Sequence, residues 1–464
     1  MERIENRTFD ELEPGDSASL VRTLTQKDIE VFAIMSGDVN PAHVDEAFAK
    51  SDQFHKVVAH GMWGGALIST VLGTELPGPG TIYLDQSLHF SRPVGLGDTI
   101  TVTVKVIDKA ADTHRVTLDC VASNQRGEKV IRGTAVVIAP TEKISRTRIV
   151  LPEIALRMKG RGYERLLEMT HGLEPLRTAV VHPVDAPSLL GAVAAARAKL
   201  IVPVLVGPES KIRAAAAQAQ LDLAPCEIVA TEHSHAAAAT AVAMARAGKV
   251  EALMKGALHT DELMHAVVDP DHGLRTDRRI SHVYGIDTPN YPRPIFVTDT
   301  AINIYPTLAD KHDIVQNAID LVQALGIARP RVAILSAVET VTETIRSTLD
   351  AAALCKMADR GQIKGGILDG PLAFDNAVSE EAAQTKGIVS PVAGRADIFV
   401  VPDLETGSML AKQLGYMAEG LVAGIVLGAR VPIVLTSRAD KTPARLASCA
   451  IALRLARHRP ETAS

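Results

Sequence analysis

The feature that most restricts the folds open to this chain is a single change of hydropathy period about a third of the way along it. Before the change, four runs alternate apolar and polar residues as half-buried strands do: TIYLDQSLHF at 81–90, DTITVTVKVID at 98–108, RVTLDCVASNQ at 115–125 and KVIRGTAVVIA at 129–139. Gly- and Asp-containing turns separate them, as in an antiparallel meander. An almost uncharged run, MWGGALISTVLG at 62–73, precedes them and is long enough for a buried helix. Beyond residue 152 the period changes. Continuous apolar strands (TAVVHP, IVPVLVGP, CEIVAT, EALMKG) alternate with helical runs such as APSLLGAVAAARAK and HSHAAAATAVAMARAG. That succession predicts a parallel sheet covered on both faces. Between the two patterns, APTEKISRTRIVL loses the alternation and gains charge and turn formers.

The expected organisation is therefore an α+β unit over 1–140, a linker over 141–151 and an α/β unit over 152–464. A length of 464 residues supports it, since so long a chain exceeds one compact core. A single α+β unit of this kind leaves sheet edges open, so a homo-oligomer, a dimer at least, is expected. The net charge of -5 and the 3% aromatic content argue against a nucleic-acid partner. Cys120, Cys226, Cys355 and Cys449 lie far apart, which suggests neither a disulfide framework nor a zinc knuckle. The charged N-terminus MERIENRTFDELEPGD does not read as a signal peptide, and LVAGIVLGARVPIVL is interrupted by Arg430, so a cytoplasmic chain without membrane spans is expected.

Chemistry concentrates first between Ser36 and Ser69. Asn40-Pro41 is a helix start, with a capping side chain followed by a residue that needs no N–H. It places His43 in a first helical turn, where the positive end of the helix dipole favours a neutral imidazole. Asp38 lies just upstream, and such a pair held near one water can activate it and return its proton. Gly61, after His60, opens the uncharged helix with a free N–H that could serve a developing oxyanion. The coarse pattern also suits other α+β folds.

The motifs GDVNPAHVD, VVAHGMWGGALIS and GPGTIYLDQSLHFSRPVGLGDTITV resemble the MaoC-like, R-specific enoyl-CoA hydratases of hot-dog fold, over about residues 10–138. The resemblance implies that Asp38 and His43 activate the water, that Gly61 binds the thioester oxygen and that Ser69 supports Asp38. It implies hydration of a trans-2-enoyl-CoA to the R product.

In the second part no G-x-G-x-x-G and no P-loop motif follows a strand. His233 and His235 with Glu232, and His259 with His265, fit no standard ligand spacing, so no metal is expected there. Three runs place polar groups at the ends of apolar strands: KGALHTDELMHAVVDPDHGLRTDRRISHV, DGPLAFDNAV and VPIVLTSRAD. The last delivers Thr436, Ser437 and Arg438 together, a hydroxyl beside a fork suited to phosphate. Arg275, Arg278 and Arg279 form a second cationic cluster, either a phosphate or nucleotide grip or a solvated turn.

Together with VTDTAINIYP, ADIFVVPDLETGSML and AGIVLGARVPIVLTSRAD, these runs resemble the phosphate acetyl/butyryltransferases over about residues 160–457. That resemblance implies a two-subdomain α/β fold of isopropylmalate-dehydrogenase type and acyl exchange between CoA and phosphate. Ser437 and Arg438 fall on the family's catalytic pair. The acid of the acetyl branch, about two turns further on, is replaced by Ala444 and Arg445; Asp440 is the nearest carboxylate and is counted with Arg275, Arg278 and Arg279 among the candidate residues for binding substrate, CoA or phosphate. The expected substrates are CoA thioesters, CoA and phosphate, with no tightly bound cofactor. The other reading is a thioesterase or acyl-CoA-binding first unit on a second unit that acts as an oligomerisation scaffold.

Overall fold

A computed structural model describes residues 3–151, 154, 161–224, 226–437 and 440–458. The chain divides into two compact units, Met1–Leu156 and Arg157–Ser464. In the first, strands β1 (Arg3–Glu5), β2 (Ser17–Thr23), β3 (Ile82–Gln86), β4 (His89–Phe90), β5 (Thr99–Ala110), β6 (Arg115–Ser123), β7 (Lys129–Ile138) and β8 (Ser145–Thr147) accompany helices α1 (Gln26–Ser36), α2 (Pro41–Val44), α3 (Glu46–Ser51) and α4 (Gly61–Thr74). The order β2-β5-β6-β7-β3, with β4 also on β7, is antiparallel throughout.

The alternation read from the sequence decides which face packs. Ile100, Val102, Val104 and Val106 of β5 and Val116, Leu118, Cys120 and Ala122 of β6 are buried against Trp63, Leu67, Ile68, Val71 and Leu72 of α4. One apolar helix is thus wrapped by one face of the sheet, the hot-dog arrangement. The run 81–90 is two strands rather than one. Ser87 crosses over Gly133, where a Cβ would lie 1.9 Å from the Ser87 carbonyl oxygen, and the ladder resumes at His89.

Part of the expected linker is structured. Residues Ser145–Thr147 form β8, antiparallel to β1, in a two-stranded sheet. Buried Asn6 secures it, its amide donating to Glu142 O at 2.8 Å and its oxygen accepting from Ile144 N at 2.8 Å. Charge and turn formers hid the pairing because it depends on partners about 140 residues away. Ile149, Val150 and Leu151 are exposed.

The second unit opens with α5 (Arg161–Glu168), β9 (Leu176–Val181), α6 (Ala186–Arg197), β10 (Ile201–Gly207), α7 (Glu209–Gln218), β11 (Glu227–Ala230), α8 (Ser234–Arg246), β12 (Ala252–Lys255) and α9 (Thr260–Val268). It continues with β13 (Ser281–Asp287), β14 (Ile295–Thr298), α10 (Leu308–Ala324), β15 (Arg331–Leu335), α11 (Arg346–Asp359), β16 (Ile367–Leu372), α12 (Phe374–Val378) and α13 (Glu380–Thr385). β17 (Ile398–Val400), α14 (Leu404–Tyr416), β18 (Leu421–Leu427), β19 (Ile433–Val434) and α15 (Thr442–Arg457) complete it.

Among the described residues, the eleven strands of this unit form one sheet, ordered β11-β10-β9-β12-β19-β18-β13-β14-β17-β15-β16. The expectation of a purely parallel sheet needs correction. β13 is antiparallel to both β14 and β18, and β18 to β19. The connections β13–β14 and β18–β19 are too short for the crossover that parallel neighbours require. Ala-rich helices pack as composition suggests, with Ala237, Ala238, Ala241 and Ala245 of α8 against Val181, Val204 and Val206. Among the described residues no helix is long and apolar enough to cross a membrane.

His282 on β13 ties the sheet to the end of β19. It is fully buried, its Nε2–H donating to Leu435 O at 3.5 Å and its Nδ1 accepting from Thr300 Oγ1 at 2.6 Å. Burial pushes its pKa from 6.5 down to about 4, against a small opposite effect of the Leu435 carbonyl. The unfolded chain therefore takes up a proton below about pH 6.5 that the folded one refuses until about pH 4. This contribution to stability is complete above that window and is lost as pH falls through it, up to about 3 kcal/mol.

Two measurements check this account. Urea unfolding followed from pH 7 to pH 4 should show His282→Gln losing stability less steeply than the parent; equal slopes would contradict it. Cleavage after Leu151 should leave two pieces that each unfold cooperatively. Ending the first piece at Ala139 instead removes the partners of Asn6 and should lower its Tm by about 5 °C.

Candidate active sites

In the first unit, α1 ends on Gly37, whose left-handed φ of 75° turns the chain out of the helix directly into Asp38. Asp38 Oδ1 accepts from Asn40 N at 3.2 Å, and the Asn40 side chain caps α2 by accepting from Ala42 N at 3.2 Å. The cap is where the sequence places it, but α2 has only four residues and His43 sits in its last turn. The helix-dipole argument for a neutral His43 therefore loses its basis.

Hydrogen bonding orders the ring instead. His43 Nδ1 lies 2.8 Å from Val58 O. A carbonyl only accepts, so Nδ1 carries the proton and the neutral ring keeps its lone pair at Nε2. His60 is held in the complementary way. Its Nε2–H donates to the Asp38 carbonyl at 3.0 Å, and its Nδ1 is buried without a partner. The two imidazoles stack with centroids 4.0 Å apart, and Phe32 flanks His60 at 4.9 Å. One ligating atom each from Asp38, His43 and His60 lie within 4.8 Å of one another, close enough to share a single water. Two imidazoles and a carboxylate at such spacing could also take a divalent cation, a grouping the metal reading of the later histidines did not consider.

Gly61 follows His60 as the first residue of α4, whose N-terminus no side chain caps, so its N–H is open to an acceptor beside this cluster. A Cβ there would come within 3.3 Å of the Phe90 ring. Ser69 stands two turns further along α4, about 12 Å by helical rise, and is exposed. Among the described residues it makes no hydrogen bond to Asp38.

In the second unit β19 leads into Leu435, Thr436 and Ser437. Thr436 is buried with an unpartnered hydroxyl, and Ser437 is exposed. Arg438 lies outside the described residues. A tight turn holds Ser437: its N–H donates to Asp440 Oδ2 at 2.7 Å and its carbonyl accepts from Asp440 N at 3.1 Å. Burial raises the Asp440 pKa, although the Ser437 N–H, Arg445 and Lys255 pull it down. Its carboxylate thus caps a turn, where phosphate or CoA binding had been read for it.

The position after Ala444 is filled. Buried Arg445 returns its guanidinium to the same turn, with Nη2 3.4 Å from Ser437 O and Nε 3.4 Å from Asp440 O. It passes Gly191 of α6, where a Cβ would sit 2.5 Å from Arg445 Cδ.

Register aligns the neighbouring strands with this turn. β12 pairs Leu253 with Ile433 and Met254 with Val434, which sets Lys255 beside Leu435 and Gly256 beside Thr436. On its other side Lys255 pairs with Val181, which sets Gly256 beside His182. A Cβ on Gly256 would lie 2.3 Å from Val181 O, so only glycine lets the two strand ends approach. Lys255 and His182 are both buried.

Arg275, Arg278 and Arg279 line a separate cleft of about 940 Å³ with Thr260, Asp261, Asn303 and Asp310. Arg278 is paired with Asp320. Arg279 donates to Asn303 Oδ1 at 2.7 Å and lies 3.4 Å from Asp310. Two of the three cations expected to gather an anion therefore already have carboxylate partners. His233 caps α8, its Nδ1 accepting from Ala236 N at 3.2 Å. Sequence reasoning passed over His182, Thr231 and Glu262. The strand-end rule that found Ser437 would have found His182, since TAVVHP ends in the same way.

Residues 230–453 match the family model described as "Phosphate acetyl/butaryl transferase", and residues 13–126 match the one described as "MaoC like domain". The phosphate acetyltransferase of Rhizobium meliloti is 61% identical over 290 residues, 62% of this chain and 92% of that protein. A branched-chain phosphotransacylase structure from Enterococcus faecalis is 29% identical, with a TM-score of 0.54, and spans 61% of this chain and 100% of that one. An R-hydratase structure from Pseudomonas aeruginosa is 43% identical over 33% of this chain and 99% of that one, with a TM-score of 0.33. The chain belongs to the phosphate acetyl/butyryltransferase family through its second unit and carries a MaoC-like domain as its first.

Proposed function

We propose a bifunctional acyl-CoA enzyme, in which the first unit hydrates trans-2-enoyl-CoA to (R)-3-hydroxyacyl-CoA and the second exchanges acyl groups between CoA and phosphate. The observation that carries the hydratase reading is the fixed His43 ring, whose free Nε2 shares a space with Asp38 and the His60 imidazole. A water held there gives a proton to His43 as its oxygen bonds to C3. The π electrons move toward the thioester oxygen, which the Gly61 N–H stabilises, and the proton returns at C2. Within the single chain Ser69 makes no hydrogen bond to Asp38 among the described residues, so its supporting role and the homo-oligomer expected from the open sheet edges belong to this proposal.

For the second unit the support is the Ser437 turn at the carboxyl end of β19, with buried Lys255 beside it and the uncapped N-terminus of α15 following it. The identity with an acetyltransferase favours acetyl-CoA and phosphate as substrates. A phosphate oxygen attacks the thioester carbonyl, the C–S bond breaks and CoA leaves as the thiolate. Ser437 donates to the carbonyl oxygen as it becomes negative, while Arg438 holds the phosphate by its planar fork. The isopropylmalate-dehydrogenase-type arrangement and a cytoplasmic location belong to the same proposal.

Incubation with crotonyl-CoA, and separately with acetyl-CoA and phosphate, followed by product analysis, tests both activities. Asp38→Asn and His43→Ala should each lower hydration by about 10²- to 10⁴-fold with little change in KM. Unchanged turnover, or an S product, would refute the assignment. Ser437→Ala should lower kcat for exchange more than it raises KM, and Arg438→Lys should raise the KM for phosphate more than that for CoA. Exchange at the parent rate in both variants would move the reaction away from this turn.

A further inference from the structure

The Ser437 turn stands on little of the sheet. β19 is two residues long, and among the described residues its ladder ends at Leu435, whose N–H donates to Gly424 O at 3.2 Å. Beyond it the turn closes on itself, through the Ser437 N–H to Asp440 Oδ2 and the Asp440 N–H to Ser437 O. Such a turn can still pivot as a unit. A hydroxyl carried on it keeps its aim only if something outside the turn fixes the backbone.

Arg445 reaches the turn from α15. It is buried, and its Nη2 and Nε lie 3.4 Å from Ser437 O and Asp440 O. One planar guanidinium thus holds a carbonyl at each end of the turn. Helical side chains lean toward the N-terminus, so an arginine in the first turn of α15 points back at the segment that leads into it. Burial lowers the Arg445 pKa, and the charges of Asp440 and Asp185 oppose that effect. At 3.4 Å two carbonyls repay a buried cation poorly, which makes stability alone a weak reason for the arrangement.

α6 makes room for it. This helix reads APSLLGAVAAAR, rich in alanine, yet glycine, the poorer helix former, stands at 191 in its interior. Gly191 does not have the left-handed φ that would call for glycine. A Cβ there would lie 2.5 Å from Arg445 Cδ and 3.5 Å from its Cβ and Cγ, so the glycine is a notch for the arginine stem. Carbon atoms need about 3.5 Å, so a methyl at 191 would push the stem by about 1 Å. Contacts already at 3.4 Å would then pass the hydrogen-bonding limit.

We infer that Arg445 is a positioning residue for acyl exchange, aiming the Ser437 hydroxyl through the backbone carbonyls of its turn, and that Gly191 sets the reach of that arginine. The inference rests on the transferase reading above. Ser437 acts there on charge that develops only as the thioester carbonyl is attacked, so a misaimed hydroxyl costs turnover and leaves binding intact.

The test measures exchange between acetyl-CoA and phosphate in the full chain, with Tm recorded for each variant. Arg445→Ala should lower kcat by about 10²-fold, the cost of a displacement on the order of 1 Å, with little change in either KM. Arg445→Lys, which keeps the charge and loses the fork, should recover part of that rate. Gly191→Ala should lower kcat by about tenfold. Damage to the fold alone would multiply alike in every background, whereas residues acting through one another do not add. Gly191→Ala should therefore lower kcat no further in Arg445→Ala, and Arg445→Ala no further in Ser437→Ala. The parent kcat in Arg445→Ala, or a full-size effect retained in either background, overturns the inference. If Arg445→Ala does not fold, Gly191→Ala compared between the parent and Ser437→Ala decides in the same way. A parent protein that exchanges nothing refutes the transferase reading itself, and this inference with it.

Discussion

The second unit depends on β12, a strand of four buried residues that pairs in parallel with β9 on one side and β19 on the other. Because parallel strands share a direction, their carboxyl ends open on the same edge of the sheet, and register then decides which residues stand next to one another. Gly256, Thr436 and His182 become neighbours for this reason, though they are far apart in the chain. Glycine at 256 lets the strand ends close up, and the helices that follow each strand point their N-termini at the same edge. An anionic substrate is what such an edge is built to receive.

The first unit solves a smaller problem with backbone acceptors. Two carbonyls, of Val58 and Asp38, each take one imidazole N–H, leaving one lone pair on His43 and one on His60. The rings are thereby fixed in tautomer and orientation before any substrate arrives, which is what a general base requires. The Gly61 N–H is brought to the same place by a simple adjacency, since the histidine and the glycine are consecutive.

Burial tunes both places. His60 and His282 are inside, and the former leaves a buried nitrogen unpaired that a bound water or substrate would satisfy. Around Ser437 the balance is among Asp440, Arg445 and Lys255, all drawn from water and set close together. Arg445, next to Ala444, supports the turn through the carbonyls of Ser437 and Asp440.

Much of this was legible in the sequence because the signals are local. Alternation in β5 and β6, the Asn40 cap, the glycine turn after α1 and the strand–helix rhythm beyond residue 152 each depend on residues within a few positions of one another. Asp38, His43, Gly61 and Ser437 were singled out as candidates this way, at the ends of elements the sequence already outlined. What the sequence could not determine were relations between distant segments. The pairing of β8 with β1, the antiparallel insertion of β13, the length of α2 and the exposure of Ser69 follow from partners across the fold. The same holds for the pairing of Arg278 and Arg279 with carboxylates, and for Arg445 reaching the Ser437 turn. Hydropathy period records which face of an element is buried, whereas register, ion pairing and the juxtaposition of strand ends arise only when the elements pack, and there the tertiary structure decided.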